Sequence, residues 1–109
     1  MLSLLKTLLH LEGFETTTLS EEEDVLDALR REKPDAILMD VHLTQGSGLD
    51  FMREIRADAK LHNVFAIMQS GMNLDVECKD AGADAFLLKP YMPDSLIQTI
   101  RTGLSNSKF

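Results

Sequence analysis

Pro34-Asp35-Ala36-Ile37-Leu38-Met39-Asp40 decides how the rest of the chain is read. Proline and aspartate punctuate, four apolar residues follow without a break, and the run stops abruptly in a second aspartate. An uninterrupted apolar run of this length is the mark of a strand buried on both faces, as in a parallel sheet, because a half-exposed strand alternates instead. Two more such runs follow, Val64 to Met68 and Ala85 to Leu88, and each also ends in polar residues, Gln69-Ser70-Gly71 and Lys89-Pro90.

Helical patterns lie between and around these runs. Leu4, Leu5, Leu8, Leu9 and Leu11 recur at helical spacing until Gly13, and Phe14 to Leu19, with three threonines, suits a short strand. Ser20 and Glu23 form a capping box that opens a helix through Val25, Ala28 and Leu29 to about Glu32. Past the loop from Leu43 to Ser47, a helix opens at Gly48 with Leu49, Met52 and Ile55 on one face. A short helix is expected over Leu74 to Ala81. Pro93 suits the first turn of a last helix through Leu96, Ile97 and Ile100, fading at Gly103. Strands alternating with helices predict a parallel α/β sheet covered on both faces. One domain is expected over residues 1–104, with a frayed tail over 105–109.

Composition bounds the partners. The 109 residues carry a net charge of −7, which argues against nonspecific binding to nucleic acid or anionic membranes, since both need lysine and arginine. No apolar stretch is long enough to span a bilayer, and the N-terminal segment lacks a cleavage-site pattern. Cys78 is the single cysteine, so no internal disulfide can form; it reads as a small buried apolar residue rather than a reactive thiol. A cytoplasmic setting is expected.

In a parallel sheet all strands end on one edge, where ligands of open α/β folds bind. Asp40, Ser70 and Lys89 therefore converge in the expected fold although they are far apart in sequence. Asp40 offers a carboxylate nucleophile or metal ligand. Lys89 offers a point charge for a carboxylate or phosphoryl oxygen, and Ser70 a hydroxyl that can turn toward such an oxygen. Singly, each has an ordinary explanation: a helix cap, loop chemistry, a lysine reaching into water. As a set at three successive strand ends they point to one site.

The segment from Pro34 to Asp50, with Asp40 ending its strand and Gly48 opening the next helix, resembles the phosphoacceptor block of two-component response-regulator receiver domains. Gly82-Ala83-Asp84-Ala85-Phe86-Leu87-Leu88-Lys89-Pro90-Tyr91 resembles that family's other signature, and Ser70-Gly71 matches its Thr/Ser switch position. The resemblance covers Met1 to about Leu104. It implies a flavodoxin-like fold with strand order 2-1-3-4-5. It implies that Asp40 accepts a phosphoryl group from a histidine kinase or histidine phosphotransfer protein, that Ser70 and Lys89 hold phosphoryl oxygens, and that Ser70 and Phe86 form the switch. It further implies a cis bond before Pro90 and Mg²⁺ held by Asp40 and the His42 backbone carbonyl.

Four departures stand out. The family opens with a strand ending in an acidic pair that shares the metal, and that segment belongs ahead of Met1. Leu43-Thr44 replaces the commoner Met-Pro, the spacing from Ser70 to Gly82 is short, and Met92 replaces the usual capping residue before Pro93. The first departure weighs most. Losing about five buried apolar side chains at roughly 1.5–3 kcal/mol each rivals the roughly 5–15 kcal/mol stability of a whole domain. The expectation is therefore a truncated reading of a longer gene product, with strand 1 missing and Mg²⁺ binding weak or absent.

The leading functional expectation is a stand-alone phosphoacceptor module, not an enzyme, that signals to a downstream protein. The alternative is a degenerate receiver that is never phosphorylated and serves as an interaction module. An aspartate-nucleophile phosphatase of the haloacid-dehalogenase type is less apt, because it wants a second aspartate where His42 stands. The sequence names neither kinase nor target, and it leaves homodimerisation open.

Overall fold

A computed structural model of the chain describes residue 13 and residues 24–43, 46–59 and 61–106. The elements in chain order are α1 (Val25–Glu32), β1 (Ala36–Asp40), β2 (His42–Leu43), β3 (Gly46–Ser47), α2 (Gly48–Ala57), β4 (Phe65–Ser70), α3 (Asp75–Ala81), β5 (Ala85–Leu88) and α4 (Pro93–Asn106). All three uninterrupted apolar runs became strands, and they pair in parallel in the order β1-β4-β5. This is the last part of the expected 2-1-3-4-5 order. The helix expected over Leu4 to Leu11, the strand over Phe14 to Leu19 and the capping box of Ser20 and Glu23 lie outside the described residues. Within them, the Asp24 carboxylate caps α1 by accepting from the Asp27 N–H.

Alternation along the strands divides the core in two. Met39, Ala66 and Met68 face α2 and α3, where Met52, Ile55, Cys78 and Ala81 meet them. Leu38, Ile67 and Leu87 face the other way, toward Leu96 and Ile97 of α4. Cys78 is fully buried, as expected, and burial pushes its thiol above the usual range, assisted by the charges of Glu77 and Asp75.

Far from the strands' C-terminal ends, one guanidinium ties the layers together. The Arg56 side chain at the end of α2 donates to the carbonyls of Gly82 (2.7 Å), Val64 (2.7 Å) and His62 (2.9 Å) and to Asp84 Oδ2 (2.8 Å). Asp84 Oδ2 also accepts the Ala66 N–H, while the Asp84 N–H donates to the Ala66 carbonyl, both at 2.9 Å. The starts of β4 and β5 are thereby fixed against each other.

Two boundaries differ from expectation. The loop from Leu43 to Ser47 carries a small antiparallel ladder, His42 opposite Ser47 and Leu43 opposite Gly46. The last helix does not fade at Gly103 but runs on to Asn106, so residues 105 and 106 of the expected tail belong to it, and 107–109 lie outside the described residues. Gly103 is an interior contact: a Cβ there would lie 2.1 Å from Phe65 Cζ, so the missing side chain lets α4 lie against β4.

Glycine to alanine inside a helix ordinarily gains about 1 kcal/mol. Overpacking a filled site costs about 1–3 kcal/mol, and the contact with Phe65 makes the second effect win. Gly103→Ala is expected to lower the urea midpoint of unfolding, and a raised midpoint would show that the helix does not need this glycine.

Candidate functional site

Asp40 ends β1 opposite Gln69 of β4, and the Val41 N–H donates to the Gln69 carbonyl at 3.0 Å. Behind Asp40 stands Gly48. Its N–H donates to the Val41 carbonyl at 2.6 Å, and a Cβ on it would fall 2.2 Å from the Asp40 carbonyl oxygen and 3.0 Å from Val41 Cα. Only a residue without a side chain lets α2 start this close to the strand end. The Ser47 hydroxyl caps that helix by accepting from the Leu49 N–H at 3.2 Å.

Lys89, just past β5, sends its ammonium to Asp40 Oδ1 at 2.5 Å. The two side chains are 43% and 38% exposed, so the pair sits at an open edge within reach of a partner. Ser70 ends the strand between them and is buried at 4% exposure. The Lys89 N–H donates to the Ser70 carbonyl at 2.8 Å, and the Ser70 hydroxyl accepts from the Met72 N–H at 3.1 Å. The hydroxyl proton of Ser70 is thus left to be aimed elsewhere. Asp40 and Lys89 meet as expected, and Ser70 lies at the same edge with no hydrogen bond to either side chain.

Phe86 of β5 pairs with Met68 and packs half-buried against the core under α2 and α3. Strand alternation puts it on the same face as Ser70. The Lys89-Pro90 peptide is cis, as expected. His42 is exposed at the start of β2.

Mg²⁺ takes near-octahedral oxygen coordination, usually one or two carboxylates with phosphate oxygens and waters. Of the ligands the resemblance implies, the structure shows the Asp40 carboxylate at the sheet edge, and among the described residues no group of three His, Cys, Asp or Glu side chains could hold a metal ion. They do not complete a Mg²⁺ site by themselves.

Two site residues had no role in the sequence reading. The Tyr91 hydroxyl donates to Gln69 Oε1, beside Asp40. Burial, and secondarily the charge of Asp40, hold the Tyr91 phenol above its usual range. A polar residue in a strand and an aromatic two positions after a lysine carry no local signal that they touch.

A parallel sheet with an exposed aspartate and lysine meeting at its C-terminal edge is the arrangement expected of a receiver domain. Residues 1–101 match the model of the response regulator receiver domain, and the chain belongs to that family. It is 30% identical over 109 residues to the polar-differentiation response regulator DivK of Brucella anthropi, covering 97% of this chain and 89% of that protein. It is also 30% identical to the DNA-binding response regulator MtrA of Mycolicibacterium smegmatis, matching 89% of this chain but only 42% of the relative's length. Among solved structures, the receiver domain of NtrX from Brucella abortus aligns with a TM-score of 0.81 at 25% identity, covering 94% of this chain and 88% of that one. A receiver-domain protein from Clostridium thermocellum gives a TM-score of 0.84 at 23% identity, with 98% and 87% covered, which shows the shared fold. The flavodoxin-like receiver fold expected from the sequence is the one found.

Tyr91 is the single tyrosine and the chain has no tryptophan, so tyrosinate absorbance reports this phenol alone. Its midpoint is expected above the free value of about 10, falling part of the way back in Asp40→Asn, because burial is the larger cause. Since folding favours the neutral phenol, its contribution to stability is complete below the unfolded value and is lost as pH rises through the folded one. A midpoint at the free value would contradict the burial of the Tyr91 hydroxyl.

Proposed function

We propose that this chain is a phosphoacceptor module of a two-component phosphorelay, with Asp40 the acceptor. The observation that carries the proposal is the half-exposed Asp40 carboxylate at the sheet edge, held by the Lys89 ammonium beside Ser70. An Asp40 carboxylate oxygen attacks the phosphorus of a phosphohistidine on a histidine kinase or histidine phosphotransfer protein. The phosphorus–nitrogen bond breaks, the imidazole nitrogen keeps the bonding electrons and takes up a proton, and an acyl phosphate forms on Asp40. Little covalent chemistry is needed beyond placement and charge. Lys89 Nζ moves from carboxylate to phosphoryl oxygen, and the Ser70 hydroxyl turns its proton to another. The chain acts as a stoichiometric acceptor and not as an enzyme.

Ser70 and Phe86 share one face of β4 and β5, which supports reading them as the switch: when the hydroxyl turns to the phosphoryl group, the space beside Phe86 changes. The output passes to a downstream protein, and the net charge of −7 disfavours nucleic acid or an anionic membrane as the partner. Among the described residues no helix is long and apolar enough to cross a membrane. We place the module in the cytoplasm with its phosphodonor.

A non-phosphorylated receiver is the second reading, favoured by the single carboxylate that the described residues bring to the site. Labelling by acetyl phosphate with Mg²⁺, or by a phosphorylated kinase, separates the two. The phosphoacceptor reading expects a hydroxylamine-labile label on the wild-type chain and none on Asp40→Asn. A label retained by Asp40→Asn would refute the assignment, and a wild-type chain that takes no label would favour the second reading.

Ser70→Ala is expected to keep the label but lose most of the phosphorylation-induced shifts of amide NMR resonances, since it removes a hydrogen bond to a charged group worth roughly 1.5–3 kcal/mol. Wild-type shifts in that variant would rule out Ser70 as a switch.

A further inference from the structure

On the α4 side of the sheet Asp40, Gln69 and Tyr91 stand together. Asp40 and Gln69 are register partners, so their side chains leave the same face. Tyr91 packs half-buried against the core around Ile67, two residues before Gln69 on that face. Its hydroxyl donates to Gln69 Oε1. Two residues earlier in the same connection, Lys89 sends its ammonium to Asp40 Oδ1 at 2.5 Å. The segment after β5 is therefore attached twice to the same neighbourhood, once through a charge and once through a neutral hydrogen bond.

A lysine ammonium is a point charge on a flexible four-carbon stem, and it loses rotamer freedom when it is held in one place. What fixes its direction is the backbone from which it leaves. The Lys89 N–H is bonded to the Ser70 carbonyl on one side, and Tyr91 is bonded to the residue preceding Ser70 on the other. Lys89 thus lies between two anchors on the end of β4.

We propose that Tyr91 and Gln69 are positioning residues for the acceptor site: their hydrogen bond pins the β5–α4 connection to β4 and so keeps the Lys89 ammonium on Asp40. The consequence for phosphorylation rests on reading Asp40 as the acceptor, whereas the positioning itself does not. Tyr91 acts here on the face opposite Phe86, so the two aromatic residues near this edge have different surroundings. Phe86 lies under Ser70 in the core, and Tyr91 anchors the lysine.

Tyr91→Phe removes only the donor hydroxyl, and Gln69→Leu removes the carboxamide whose oxygen accepts from it. The first readout is the side-chain ammonium resonance of Lys89 in the unphosphorylated chain, assigned by its loss in Lys89→Arg. A held ammonium exchanges its protons slowly enough to be seen. The resonance is expected in the wild-type chain and lost, or moved to the free-lysine position, in both variants. The second readout is the rate of Asp40 labelling by acetyl phosphate. Each variant should slow it roughly threefold to tenfold, the size of one neutral hydrogen bond, and by less than about twofold in a Lys89→Ala background, because coupled residues are not additive.

An unchanged Lys89 resonance in both variants, or no held ammonium in the wild-type chain, overturns the proposal. So does equal slowing with and without Lys89. A wild-type chain that takes no label at all removes the phosphoacceptor reading, and the ammonium resonance then still decides the positioning.

Discussion

Lys89 reaches Asp40 across the end of an intervening strand, and that reach depends on the ends of β1, β4 and β5 lying level. Neighbouring strands are about 4.8 Å apart, so the backbones that carry the two charges stand roughly 10 Å apart. A slip of one residue in either ladder would turn Asp40 or Lys89 to the opposite face. The register that prevents this pairs Asp40 with Gln69 and Ser70 with Leu88. It is fixed from the far edge, where Arg56 and Asp84 bind the starts of β4 and β5 and the turn between α3 and β5. Near the site, Gly48 fixes the height of Asp40 by letting α2 begin against its carbonyl.

The ion pair itself is not what holds the fold together. Both side chains are well exposed, and pairs of that kind contribute about 0–1 kcal/mol. The core on the two faces of the sheet carries stability, with Met52, Ile55, Ile67, Met68 and Leu96 fully buried. On the proposed reading, the Lys89 ammonium already stands at Asp40 and has only a short way to move to meet the negative charge of a phosphoryl group. On the same reading openness matters too, since a carboxylate sealed in the core could not meet a phosphohistidine on another protein.

Much of this was legible in the sequence because it is written locally. Ala36 to Met39, Val64 to Met68 and Ala85 to Leu88 are apolar runs of strand length, and the polar residue after each marks the functional edge. Other features were hidden because they join residues distant in sequence through side-chain contacts. Arg56 reads as an ordinary charged residue near a helix end, yet it satisfies three backbone carbonyls and Asp84. The Gly82-Ala83-Asp84 signature was visible, whereas its reason, the fit of Gly82 and Asp84 around that guanidinium, was not. Gly103 looked like a stop and is a contact. Tyr91 and Gln69 carry no periodic signal, and only the assembled sheet brings them beside Asp40.

The central claim is that, of all the carboxylates in this acidic chain, the one at the end of β1 takes the phosphoryl group. Borohydride reduction of the acetyl-phosphate-treated protein converts an aspartyl phosphate to homoserine, and peptide mass mapping then locates the changed residue. The account predicts homoserine at position 40 and at no other acidic position. Conversion at a different carboxylate, with Asp40 intact, would contradict it.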